Sequence, residues 1–88
     1  MKQLEKEFKG VGEVKGYSFK QITNIEGVLY VYEVKGVETT HYEVFKHVEN
    51  KRFNCISYPR SPAFGVWAWT CGDCDSVLNK TNSIINKQ

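Results

Sequence analysis

Between Glu13 and Thr70 apolar and polar residues alternate in short runs, and after Gly72 the spacing becomes that of a helix. Residues 14–22, 28–34, 40–48, 53–58 and 64–70 read as strands. Asn24-Ile25-Glu26-Gly27, Gly36, Glu49-Asn50-Lys51-Arg52 and Pro59-Arg60-Ser61-Pro62 separate them as turns, the last stiffened by its two prolines. Connections this short favour antiparallel neighbours, because parallel crossovers need a dozen residues or more. The expected fold is α+β: an antiparallel meander of about five strands, with one C-terminal helix packed on it, forming a single small domain over residues 1–88.

The faces of these elements differ. Val28-Leu29-Tyr30-Val31-Tyr32 is apolar on both sides, as in a central strand covered on both faces. The strand around Tyr42 sets Tyr42, Val44 and Val48 against His41, Glu43 and His47, and reads as half exposed. In the helix, Cys74, Val77, Leu78, Thr81, Ile84 and Ile85 form the apolar stripe. Asp73 and Asp75 suit its N-terminal pole and Lys87 the other. Leu4 and Phe8 are spaced for a helical turn, while Leu4, Lys6 and Phe8 also alternate as an edge strand would, so residues 2–9 stay open between the two.

Eighty-eight residues approach the lower size limit for a chain that folds alone, and the 14% aromatic content helps so small a core. No apolar run of about 18 residues exists, and the first residues lack the apolar stretch of a secretory signal, so a cytoplasmic protein without a membrane partner is expected. Three cysteines, an odd number, point to thiols in a reducing compartment. Residues 21–50 carry five Glu and two Lys, whereas 51–88 carry five basic residues and two Asp. Only two of the twelve basic residues are Arg, which disfavours base-specific DNA reading.

Chemistry concentrates at one junction, where the strand bearing Trp67 and Trp69 runs into Cys71-Gly72-Asp73-Cys74. Trp69-Thr70-Cys71-Gly72-Asp73-Cys74 resembles the active-site corner of thioredoxins, a strand ending in Trp-Cys-Gly-Pro-Cys at a helix start. That resemblance implies thiol redox chemistry. It covers six residues of the chain; Thr70 separates the tryptophan from the cysteine and Asp73 replaces the proline. Asp73 and Asp75 also flank Cys74 with negative charge, where a reactive thiolate wants cations. The C-x₂-C spacing is half a zinc site, with Cys55, His41 or His47 to complete it, but a second pair is lacking. All three cysteines read best as small buried hydrophobes, with no metal and no cofactor.

His41 and His47, with Glu43, have neither a partner nucleophile nor a phosphate loop beside them, and read as polar side chains on an exposed sheet face. Gly10-Val11-Gly12 lacks the helix that would make it a phosphate motif, and no enzyme is expected. Tyr17, Phe19, Tyr30, Tyr32, Tyr42, Trp67 and Trp69 exceed what one helix covers. Either the sheet curls like a small barrel and consumes them, or one face stays open and presents rings. Trp69, Tyr30 and Tyr32 are assigned to the core. Lys51, Arg52, Tyr58, Arg60 and Trp67 are assigned to binding, because rings and arginines anchor protein interfaces. The expected function is a non-enzymatic protein-interaction module with an unknown protein partner. The alternative is single-stranded nucleic acid, held by ring stacking and Lys/Arg. The short, Lys-, Asn- and Ile-rich composition resembles small proteins of bacteriophages and mobile elements, which implies a stoichiometric binder of a host component.

Overall fold

The computed structural model describes residues 2–86, and all five strands of its main sheet run antiparallel. In chain order the strands are β1 (Glu7–Lys9), β2 (Ser18–Ile25), β3 (Leu29–Lys35), β4 (Thr40–Lys46), β5 (Glu49–Asn50), β6 (Cys55–Ile56) and β7 (Ala68–Cys71), followed by α1 (Cys74–Asn86). The sheet order is β1-β2-β3-β4-β7, and β5 and β6 pair separately as a small hairpin. β1 and β7 do not pair with each other, so the sheet is open and forms no barrel.

The meander is as expected in kind, but three of its strands fall elsewhere. Residues 2–9 end in strand β1, paired to β2 through Phe8 and Phe19, whose rings stack at 4.6 Å. Residues 12–14 form a short 3-10 turn rather than the start of a strand. There Gly10 N–H donates to the Tyr17 carbonyl at 2.8 Å, and a Cβ at Gly10 would run into the Val14 carbonyl. That close approach explains the glycine that opens Gly10-Val11-Gly12. The expected strand 53–58 shrinks to Cys55–Ile56, because Asn54 takes φ +51 and Phe53 N–H donates to Asn50 Oδ1 at 3.2 Å, so both belong to the turn. The expected strand 64–70 begins only at Ala68, since Gly65 at φ +88 turns the chain back and donates to the Ala68 carbonyl at 2.8 Å.

β3 is central, with Leu29, Tyr30, Val31, Tyr32 and Val34 all buried, as its two-sided apolar pattern predicts. Its even residues Tyr30, Tyr32 and Val34 join Phe19, Phe45, Ile56, Ala63 and Ala68 in one core. Its odd residues Leu29 and Val31 join Val44, Cys71 and Ile84 in the other, beneath α1. A β-bulge at Ile22 reverses the alternation of β2: Phe19 and Gln21 lie opposite Val34 and Tyr32, but Thr23 and Ile25 lie opposite Val31 and Leu29. One extra residue therefore lets a single strand serve both cores.

The helix stripe is narrower than its pattern. Ile84 is buried and Val77 and Thr81 half-buried, whereas Cys74 is exposed and Leu78 and Ile85 remain 59% and 42% exposed. Asp73 caps the helix by accepting the Ser76 N–H at Oδ1, 2.7 Å. Lys87, expected near the C-terminal pole, lies outside the described residues.

The surplus of rings is resolved by a third layer. Residues 47–67, comprising the β5–β6 hairpin and a 3-10 turn at Ser61–Ala63, leave the sheet between β4 and β7 and fold over the face opposite α1. Residue 2 extends this layer, since Lys2 N–H donates to the Asn54 carbonyl at 2.8 Å and Ile56 N–H to the Lys2 carbonyl at 2.9 Å. The face of Glu43 and Phe45 is therefore covered. The expectation of an exposed polar face is corrected for its middle, where Glu43 is 14% exposed at its side chain and Phe45 is fully buried, while His41 at its far end keeps 31%.

Candidate functional site

The covering segment 47–67 differs chemically from the rest of the chain. It holds both arginines, both prolines, Trp67 and Lys51, against a single acidic residue, Glu49. Three basic residues against one acidic give it +2, the whole net charge of the protein; elsewhere nine basic and nine acidic residues cancel.

This segment shapes an open groove of about 670 Å³, lined among others by Phe53, Ile56, Tyr58, Arg60, Ala63 and Trp67. Ile56 and Ala63 are buried and give it an apolar floor. Trp67 stands edge-on to Phe45, with 6.3 Å between centroids, and its carbonyl accepts the Lys46 N–H at 2.9 Å, which fixes that wall. Arg60 is exposed at the start of the 3-10 turn. Lys51 and Arg52 occupy the exposed hairpin turn beside Phe53, and the Arg52 guanidinium lies 5.4 Å from the Phe53 ring centre. Of the five residues assigned to binding, Tyr58, Arg60 and Trp67 thus line one groove, while Lys51 and Arg52 adjoin it in the turn that carries Phe53. Phe53 was missed because alternation with Cys55 placed it in a strand. At 68% exposure it is the most exposed ring in the groove, and the turn-forming Asn50 and Asn54 around it were the available signal.

Tyr58 is a wall of the groove rather than a free ring. It packs edge-on against Phe8, Phe19, Tyr32 and Phe45, with centroid separations of 5.0–5.7 Å. Its hydroxyl donates to Glu43 Oε1, and the other oxygen of that carboxylate faces His41 Nε2 at 3.5 Å. Burial first, and then the Glu43 charge, push the Tyr58 hydroxyl far above its ordinary pKa of 10.0, so it remains a neutral donor. A parallel chain joins Tyr30 to His47 Nδ1 at 3.1 Å, and His47 Nε2 to Glu49 at 3.0 Å. Tyr32 donates to the Glu5 carbonyl at 2.5 Å and accepts from Gln21 Nε2 at 2.9 Å, which ties the N-terminal segment to the ring cluster. The first of these networks fixes Tyr58 in the groove wall, and the other two satisfy the hydroxyls of the buried Tyr30 and Tyr32.

The cysteine corner is a strand running into a helix, as the spacing predicts, but its thiols sit in unequal surroundings. Cys71 is buried under α1, and burial pushes its pKa up, with Asp73 adding to the rise and Lys80 opposing it. That is opposite to the depressed pKa of a reactive thiolate. Cys74 is exposed and donates to the Tyr42 hydroxyl at 3.8 Å. The reading of all three cysteines as buried is therefore corrected: it holds for Cys71, Cys55 is only half-buried, and Cys74 at the first turn of the helix faces solvent. Among the described residues, no three His, Cys, Asp or Glu side chains are grouped to hold a metal ion. Trp69 is half-buried, with the Lys80 ammonium 4.5 Å from its ring centre.

A second depression, about 430 Å³, lies on the α1 side of the sheet beyond the helix. Lys9, Lys20 and Lys35 are interleaved there with Glu7 and Glu33 through the pairs Glu7↔Lys20 and Lys20↔Glu33, and Lys35 contacts Glu33 at 3.4 Å. Glu7 and Glu33 answer two of these three lysines across the strands, and Lys9, opposite Ser18, leaves a single cation over. Among the described residues no helix is long and apolar enough to cross a membrane. No protein-family model, curated protein or solved structure matches the chain.

Proposed function

We propose that the chain is a non-enzymatic, cytoplasmic protein-interaction module that engages its partner through the groove of the 47–67 layer. The observation that carries this reading is convergence: Phe53, Arg60 and Trp67, from three parts of one segment, meet around one apolar floor. Tyr, Trp and Arg around a desolvated pocket are the usual anchors of protein interfaces. The phage-like composition supports a stoichiometric binder of a host component as the kind of partner.

A photo-crosslinking amino acid at position 53, with one at position 20 on the opposite face as control, tests the reading in cells. Nuclease-resistant protein adducts at 53 but not at 20 are expected. Adducts that disappear on nuclease treatment, or equal labelling at both positions, would count against it and in favour of nucleic acid or of no site here.

A further inference from the structure

The geometry points to the occupant of this groove: an acidic segment of a protein partner that carries an apolar or aromatic side chain, the carboxylates meeting Arg52, Arg60 and Lys51 while the apolar group enters beside Phe53 and Trp67. This rests on the protein-binding reading of the groove and names the chemistry of its partner.

Charge complementarity carries the inference. The protein's whole net charge resides in the layer that forms the groove, and the remainder is neutral. The one lysine- or arginine-carboxylate pair found among the described residues is Lys35–Glu33, so Lys51, Arg52 and Arg60, like most lysines elsewhere, have no carboxylate partner, but here three cations share their segment with a single acid. Glu49, the one acid of the layer, is engaged by His47. Guanidinium groups match carboxylates in a bidentate fork, and placing both of the chain's arginines here rather than two more lysines favours that geometry. The Arg52 guanidinium lies 5.4 Å from the Phe53 ring centre, so a cation and the exposed ring sit side by side at the groove's edge. The floor, by contrast, offers Ile56 and Ala63, both buried, and no charge. A purely acidic partner would leave that floor unused. A purely apolar one would leave three cations unanswered.

Nucleic acid also carries negative charge, but it fits this surface poorly. Single strands bind by stacking successive bases on free ring faces. Here Tyr58 is enclosed by four rings and Trp67 abuts Phe45. Phe53 alone is largely free, and Arg52 already lies over its ring.

The test is selection of a random peptide library on the intact protein, followed by mapping of enriched peptides through backbone amide shifts and by affinity measurement. Peptides rich in Asp and Glu around one aromatic or aliphatic residue are expected, with shifts at Phe53, Ser57, Ala63 and Trp67. The exposed Arg52→Glu and Arg60→Glu substitutions should each weaken them roughly tenfold, the scale of one charge-assisted pair. Lys20→Glu, on the opposite face, should not, and unchanged thermal unfolding confirms that each variant folds. Peptides that map to the groove without acidic enrichment, or that bind Arg60→Glu as well as the parent, overturn the inference while leaving a protein-binding groove. Failure of every peptide at the groove, or a thymidine oligonucleotide binding there more tightly than any peptide, overturns both.

Discussion

Tyr58, from the loop after β6, donates its hydroxyl hydrogen to Oε1 of Glu43 in the middle of β4. This contact connects the covering layer to the sheet. It also fixes a groove wall, since the same tyrosine lines the groove while four rings enclose it. A short-range pattern gives no hint of it, because the two residues are 15 apart and belong to different layers.

Tyr58→Phe keeps the rings in contact and removes the donor, leaving the largely buried Glu43 carboxylate short of one hydrogen bond. A loss of about 1–3 kcal/mol is expected, read as a lower urea midpoint with little change in slope. Tyr58→Ala removes the ring as well and should cost about 3–5 kcal/mol. Equal effects of the two would show that the hydroxyl, not the packing, dominates.

Alkaline stability follows from the same residue. The Tyr58, Tyr30 and Tyr32 hydroxyls all titrate above their ordinary value of 10.0, burial being the first cause in each. Above about pH 10 the unfolded chain releases phenolic protons that the folded chain retains, so the folded state binds more protons. Stability is then fully present below that pH and falls as pH rises through it. Urea midpoints should decline over this range, and the decline should be shallower in Tyr58→Phe.

The three thiols should react in order of exposure. Cys74 is exposed, Cys55 half-buried and Cys71 buried with a raised pKa. With an aromatic disulfide reagent at neutral pH, Cys74→Ser should remove the fast phase. Cys71 should react only as fast as the protein opens, since the thiolate is the nucleophile. A fast phase that survives Cys74→Ser and vanishes in Cys71→Ser would reverse the assignment.

Asp73 holds the start of α1 through the Ser76 N–H, and that hydrogen bond lowers its pKa from 3.8. Its contribution is present above the unfolded value and is lost as pH falls through the lowered one. Asp73→Ala should reduce the melting temperature at neutral pH, with Asp73→Asn, which retains a cap oxygen, falling between it and the parent. The difference between parent and Asp73→Asn should shrink in acid.

Local periodicity carried far in this chain. The switch near Gly72 set the helix, short connections set antiparallel order, and the two-sided apolar run of β3 set the central strand, because each depends on side-chain spacing along one element. Where turn chemistry competed with alternation, alternation misled. Asn54 at φ +51 and Gly65 at φ +88 end pairing that the apolar residues around them would continue, and they move Phe53 and Trp67 from strands into the groove.

The sequence by itself determined the class of fold, the central strand and the acidic start of the helix. Only the tertiary structure decided that the face of β4 bearing Glu43 and Phe45 is covered, because the layer over it comes from residues 47–67 and covers rings it does not adjoin in sequence. Only it decided that the bulge at Ile22 sends Ile25 to the opposite core from Phe19. The physical reason is common to both. Alternation reports that a residue has two sides, but which side is buried depends on register and on what packs above, and these are long-range properties that one inserted residue reverses.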